Sequence, residues 1–352
     1  MAFVKTIIWN LFFLFLAMLV VDLIAGGWVR ESSIVNRLNL VRDVKRQFSA
    51  CDLYERPQGC MITYTRDPYG LRGDYDSPSS IDILTVGGST TDQRYVSDEE
   101  TWQAVISKTF EQAGNRVTVV NAGVDGQTTW GHLKNFEEWF PEIGGLGPKY
   151  ILFYVGINDF YKRLDDDSKE KRGWRWQIQT KSAWYYLYKT LLGMYISHAE
   201  KVSHRSINFS TQEWVNHGLV AVPYRQLMQE RLDAYADRLF RLSEKTREFG
   251  AEPIFVTQQT RYAKLVDGKI VGVSNINHRY RGVTYNGVDR YFMHKELNRV
   301  AMEVCGQVDA VCIDLAEELS LEDTDFYDFL HNTPAGAERI GKYLYIKTNS
   351  LL

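Results

Sequence analysis

The stretch Ile81-Asp82-Ile83-Leu84-Thr85-Val86-Gly87-Gly88-Ser89-Thr90-Thr91 decides the fold of this chain. Its first half is a short apolar run of strand length, and the Gly-Gly pair ends the strand in a tight turn with Ser89 just beyond it. Residues 101–110 then carry helical character. The same order repeats downstream: a strand over 116–120, a helix over 130–140 and a strand over 150–155. It pauses at Phe160 and resumes with a helix over 224–249, where Leu232, Tyr235, Leu239 and Leu242 mark one buried stripe. A strand over 253–257, a helix over 291–304, a strand over 310–315 and a closing helix over 335–348 complete the set. Strands alternating with helices imply parallel βαβ units. The expected fold is a three-layer α/β/α sandwich around a five-stranded parallel sheet.

The rest of the chain is organised around that body. Its 352 residues are 45% hydrophobic, enough for a sizeable core, and the net charge of -3 with scattered lysines and arginines excludes a nucleic-acid partner. Residues 4–28 are nearly continuous apolar sequence, broken by Asn10 and Asp22. A run of about 20 such residues crosses a bilayer. A cleaved signal is the competing reading, but the length of the run and the lack of an A-x-A-like site before Gly26 or Gly27 favour an uncleaved transmembrane anchor. The chain then divides into an anchor (1–28), a membrane-proximal stalk with little periodicity (29–80) and the α/β body (81–352), with insertions at 160–223 and 258–290.

Charge and cysteine point to opposite sides of the membrane. Lys5 is the only basic residue at the N-terminal end of the apolar run, whereas Arg30, Arg37, Arg42, Lys45 and Arg46 follow it, which by counting alone puts the body in the cytoplasm. Cys51 with Cys60, and Cys305 with Cys312, are spaced to close short loops by disulfides in an oxidising compartment. Zinc ligation fits less well, since neither pair has C-x-x-C spacing. Buried free thiols are the remaining reading. Long domains translocate largely regardless of nearby charge, so the cysteines decide, and the body is expected outside the cytoplasm, in the periplasm.

In open α/β sheets ligands bind beyond the carboxyl ends of the strands, and polar residues gather there. The first strand ends in Gly87-Gly88-Ser89-Thr90-Thr91, the second in Asn121-Ala122-Gly123-Val124-Asp125-Gly126, the third in Gly156-Ile157-Asn158-Asp159, and the last is followed by Asp328-Phe329-Leu330-His331. Together these blocks resemble the SGNH (GDSL-like) hydrolase superfamily, from about Asp82 to the C-terminus without the insertions. Gly88 stands where the family's G-D-S-L has aspartate; the serine is unaffected. The resemblance implies a flavodoxin-like sheet, a serine nucleophile at Ser89 and a catalytic Asp328 and His331. It also implies an oxyanion hole from Ser89, Gly126 and Asn158, with no cofactor or metal.

The chemistry of the residues agrees. A serine hydroxyl needs an adjacent base, which His331 can supply. Asp328, three residues earlier, can fix the imidazole tautomer. Backbone N–H groups of Ser89 and Gly126 and the amide of Asn158 are donors for a developing oxyanion. Taken singly, each has a plainer reading: a phosphate-binding turn without its lysine for 87–91, turn formers at Asn121 and Asn158, a loop carboxylate at Asp328. Their joint order favours catalysis. Asp159 reads as structural, and His132, His198, His204, His217, His278 and His294 show no metal-ligand spacing and read as surface or core residues.

The insertions bear on substrate. The first carries Trp174, Trp176, Trp184, Tyr185, Tyr186, Tyr188 and Tyr195. It fits a lid, an aromatic platform for sugar rings, an interfacial helix on the bilayer, or ordinary packing. In the second, Arg261 lies just past the fourth strand, within reach of an anionic or hydroxylated substrate. Membrane-tethered relatives in the superfamily often act on O-acyl groups of cell-surface glycans. The expected activity is therefore hydrolysis of such esters, or of a small ester substrate, through an acyl-serine. The alternatives are an O-acyltransferase served by a membrane acyl-donor partner and a catalytically silent glycan-binding or scaffold protein.

Overall fold

The computed structural model describes residues 2–29, 38, 40–56, 59–161, 174, 178, 181–199, 204–276 and 278–352. Trp176, Arg30, Arg37 and much of the first insertion lie outside the described residues, as do the side chains of Tyr195 and His198. The chain forms two compact units, one from 1–40 with 165–203 and the other from 41–164 with 204–352.

In the first unit, helix α1 (Ala2–Ala25) is long and apolar enough to cross a membrane. Its one acidic residue, Asp22, is satisfied within the unit. The carboxylate accepts from Trp28 Nε1 (2.9 Å), from Ser182 Oγ (2.9 Å) and from the backbone N–H of Trp184 (3.3 Å). Trp184 Nε1 in turn donates to the carbonyl of Met18 at 2.9 Å. These contacts tie the start of the aromatic helix of the first insertion, Ala183–Ala199, to the end of α1.

The second unit begins with structure that a low-periodicity stalk did not suggest. Strands β1 (Val44–Ser49) and β2 (Met61–Arg66) form an antiparallel hairpin, and Arg66 at its end and Arg72 beyond it are buried. The burial rests on partners supplied by the body: Arg66 pairs with Asp92 at 2.5 Å, and Arg72 with Asp98 at 2.6 Å. The stretch 41–80 therefore belongs to the α/β unit, and its long polar side chains hide this from a hydrophobic-period reading.

The sheet then follows. β3 (Ile83–Gly87) leads into the short helix α2 (Ser89–Asp92) and into α3 (Trp102–Gln112). β4 (Val119–Asn121), α4 (Thr129–Glu138), β5 (Tyr150–Tyr154) and α5 (Ile157–Tyr161) come next. Counting Ala183–Ala199 as α6, the chain continues through β6 (Trp214–Val215), α7 (Tyr224–Glu248) and β7 (Glu252–Val256). The second insertion folds into β8 (Ala263–Val266) with β9 (Lys269–Val273), and β10 (His278–Tyr280) with β11 (Val283–Tyr285). α8 (Gly287–Gln307), β12 (Val311–Ile313), α9 (Leu315–Glu318) and α10 (Pro334–Thr348) close it.

The five-stranded parallel sheet expected from the sequence is present, and its strands stand in the order β12-β7-β5-β3-β4. Alternate residues leave the two faces of the sheet. Ile83, Leu152, Ile254 and Ile313 pack with Trp102, Ile106 and Phe110 of α3 and with Ile340 and Leu344 of α10. α7 packs against both α4 and α8, and its Leu232, Leu239 and Leu242 are fully or almost fully buried. At typical values, each buried leucine contributes about 1.5–3 kcal/mol. This framework places the carboxyl ends of β3, β4 and β5 side by side. Disulfides join Cys51 to Cys60 and Cys305 to Cys312.

Candidate active site

Ser89 opens α2 directly after β3, so the strand fixes its backbone and the turn exposes its hydroxyl. Ser89 Oγ lies 2.8 Å from His331 Nε2, and His331 Nδ1 lies 2.7 Å from Asp328 Oδ2. The two contacts assign the tautomer: Nδ1–H donates to the carboxylate and Nε2 accepts from the serine. Asp328 is set by its own turn, since Oδ1 accepts from the backbone N–H groups of Leu330 (2.8 Å) and His331 (2.7 Å). Burial alone would raise the Asp328 carboxyl, but the hydrogen bond and charge of His331 and these two N–H groups hold it below the usual carboxylate range. It is therefore an anion facing the imidazole.

Asn158 Nδ2 donates to the carbonyl of Gln127 at 2.9 Å, which orients the amide beside the nucleophile turn. A Cβ at position 88 would fall inside contact distance of that same nitrogen, so Gly88 is the residue that lets Asn158 approach. Gly126 has φ +70, a left-handed backbone that suits glycine. The backbone N–H groups of Ser89 and Gly126 donate to no other backbone group among the described residues.

The loop bearing Gly126 is held from below. Arg66 donates to the carbonyls of Asn121 (3.1 Å) and Gly123 (2.6 Å), while Asn121 Nδ2 donates to the carbonyl of Thr91 at 2.6 Å. Burial would raise Asp92, yet Arg66, Arg94 and Arg72 around it hold it below the usual range. Asp159 also serves structure: its carboxylate accepts from Thr129 and pairs with Arg238 at 3.3 Å, and burial raises its pKa.

Three parts of the site differ from the sequence reading or lie beyond it. Arg261 is not a free substrate contact: its guanidinium bonds Asp323 Oδ1 (2.7 Å) and the carbonyl of Leu321 (2.9 Å), a partner 62 residues away that no local pattern announces. Gln258 joins the strand ends; its side chain donates to Thr90 Oγ1 (3.1 Å) and the carbonyl of Tyr154 (3.0 Å), and accepts from the N–H of Ile157 (2.8 Å). The sequence reading passed over this residue, although the strand-end rule applied to β7 leads to it, two positions past Val256. His204, taken as an ordinary histidine, stands against His331 with ring centroids 4.3 Å apart, and no motif surrounds it in sequence.

The architecture is similar to several solved structures. One is a variant of an acetyl xylan esterase from Geobacillus stearothermophilus, at 15% identity over 78% of this chain and 96% of that chain, with a TM-score of 0.43. Another is an α/β hydrolase from the metagenome of Lake Arreo, Spain, at 13% identity over 78% of this chain and 97% of that chain, with a TM-score of 0.42. Likenesses this distant carry no argument about substrate. No curated protein matches the chain. Residues 85–339 match the GDSL-like lipase/acylhydrolase family, a span that takes in Ser89, Gly126, Asn158, Asp328 and His331. By that match, over more than half of its length, the chain belongs to the GDSL-like lipase/acylhydrolase family of ester-hydrolysing enzymes.

Proposed function

We propose that the protein is a membrane-anchored serine esterase that removes O-acyl groups, acetyl above all, from a cell-surface carbohydrate through an acyl-Ser89 intermediate. The observation that carries the chemistry is the continuous line from Ser89 Oγ through His331 to Asp328, with links of 2.8 and 2.7 Å. Ser89 Oγ attacks the ester carbonyl while His331 Nε2 takes the hydroxyl proton. Asp328 stabilises the imidazolium that results. The carbonyl oxygen becomes an oxyanion facing the N–H groups of Ser89 and Gly126 and the amide of Asn158. Collapse breaks the ester C–O bond, and His331 returns the proton to the leaving alcohol. Water then attacks the acyl-serine by the same steps, releasing the acid and restoring Ser89.

A hydroxylated leaving group is supported by polar side chains on the glycine loop. Arg94 pairs with Asp125 at 3.5 Å, both remain partly exposed, and Asp125 immediately precedes Gly126. Anchoring over residues 1–28 is supported by α1, and an interfacial seat for the aromatic insertion by the bonds from Trp184 of α6 to Asp22 and to the carbonyl of Met18. The two disulfides support a periplasmic body.

A fluorophosphonate probe tests the reading. It should add its mass to Ser89, and burst release of p-nitrophenol from p-nitrophenyl acetate should vanish in Ser89→Ala. A folded protein that the probe leaves unlabelled overturns the reading. Added oligosaccharide that becomes acylated would redirect it to acyl transfer, where a sugar hydroxyl replaces the water.

A further inference from the structure

The His204 ring lies 4.3 Å from that of His331, tilted by 34°, and the Tyr327 ring stacks on His331 at 5.6 Å with an interplanar angle of 10°. The catalytic imidazole is thus in contact with two further aromatic rings. His204 is itself fixed: its Nδ1 accepts from the Tyr327 hydroxyl at 3.1 Å, and the Tyr95 ring meets it edge-on at 5.2 Å. We infer that His204 is a positioning residue of the reaction, holding the ring plane of His331 and, while neutral, stabilising the imidazolium that forms as Ser89 gives up its proton.

The physical reason is the charge that appears on His331 in each half of the cycle. A cation stacked on a neutral aromatic ring is favoured, more so where water is displaced. A protonated His204 would instead set two positive rings against each other and oppose proton transfer. The groups facing His204 are His331, Asp328 (3.9 Å from Nδ1), Tyr327, Tyr95, Asp125 and Arg94. Burial lowers its pKa and the charge of His331 lowers it further, against Asp328 and Asp125, so His204 is neutral at neutral pH. Tyr327 keeps its proton because burial first, and then Asp328, push its pKa well up. The phenol therefore stays a donor to His204.

The inference rests on the serine-esterase reading, and the test separates the two. Ser89→Ala, His204→Ala and His204→Phe are compared in the full chain with p-nitrophenyl acetate from pH 5 to 9, each checked for folding by circular dichroism. His204→Ala should lower kcat about tenfold with little change in KM, the scale of one lost ring contact to a desolvated cation. His204→Phe keeps the stack without a titratable group. It should recover most of the kcat that His204→Ala loses at pH 8, where a stacked ring without a proton to take serves the imidazolium as well. A folded His204→Ala with wild-type kcat overturns the inference, as does a folded His204→Phe variant no faster than His204→Ala at pH 8. If Ser89→Ala stays active, the esterase reading itself fails.

Discussion

Ser89 Oγ and His331 Nε2 stand 2.8 Å apart although 242 residues separate them in sequence. The two come from opposite ends of the α/β body, one from the turn after its first parallel strand, the other from the loop before α10. Only the sheet order brings them together, so activity reads out the integrity of the fold. The same dependence shapes what substitutions should do.

Asn158→Ala removes the side-chain donor aimed at the oxyanion while leaving the backbone of α5 intact. Loss of one such donor costs about 3 kcal/mol of transition-state stabilisation. We expect kcat to fall roughly 100-fold or more with an unchanged far-ultraviolet spectrum. A folded variant with full esterase activity would remove Asn158 from the mechanism.

Gly88→Ala acts on the same amide from the other side. Its Cβ would meet Asn158 Nδ2 and lie 3.3 Å from the carbonyl of Gln127, so the amide must turn away. Activity should drop at least about tenfold, with stability changed by only about 1 kcal/mol. Because both changes remove one donor, the double variant with Asn158→Ala should be hardly slower than Asn158→Ala alone. Additive losses in that cycle would refute the shared cause.

Gln258→Leu cuts the bonds to Thr90, Tyr154 and Ile157 together and leaves buried polar groups without a partner. Each orphaned group costs about 1–3 kcal/mol. Urea unfolding should show a loss of several kcal/mol, and kcat should fall even where the variant is fully folded, because the nucleophile and amide turns lose their common support. Equal kcat at saturating substrate would limit Gln258 to stability.

His294 makes stability depend on pH. It is buried, donates through Nε2 to the carbonyl of Gln258 at 3.0 Å, and burial, with Arg290 nearby, lowers its pKa to about 3. The folded pKa lies below the unfolded value of 6.5, so its contribution is present above pH 6.5 and lost as pH falls toward 3. Urea midpoints measured from pH 7 down to pH 4.5 should decline, and His294→Gln should flatten that slope. An unaltered slope in the variant would show that carboxylates alone cause the decline.

Much of this was legible in the sequence, for identifiable reasons. The sheet strands are apolar runs closed by glycine or polar turns, so their existence and order could be read, with ends displaced by one or a few residues. α8 begins at Gly287, ahead of the expected 291, because Asn286 accepts from the N–H groups of Val288 and Asp289 while Asp289 accepts from that of Asn286. That capping pair is itself a sequence signal, left unused. Ser89, Gly126, Asn158, Asp328 and His331 could be named because each sits in a short block at a strand end or in D-x-x-H spacing. The partner of Arg261 was not legible because Asp323 reaches it only through the fold. His204 was missed because stacking on another ring needs no neighbouring motif. The buried Arg66 and Arg72 looked like solvent-facing charges, since burial of a guanidinium depends on partners elsewhere in the chain.

Those two arginines also bear on how far the α/β unit extends toward the N-terminus. The family match opens at residue 85, downstream of both. A protein trimmed to that border would keep Asp92 at the end of α2 but lose its close partner Arg66 at 2.5 Å, and Arg72 with it, leaving Arg94 at 3.8 Å. An enclosed charge stripped of its partner costs about 3–5 kcal/mol, a large share of a domain's stability. We therefore expect the smallest folding unit to reach back to about Val41, and the stretch that reads as a stalk supplies side chains on which the nucleophile turn rests.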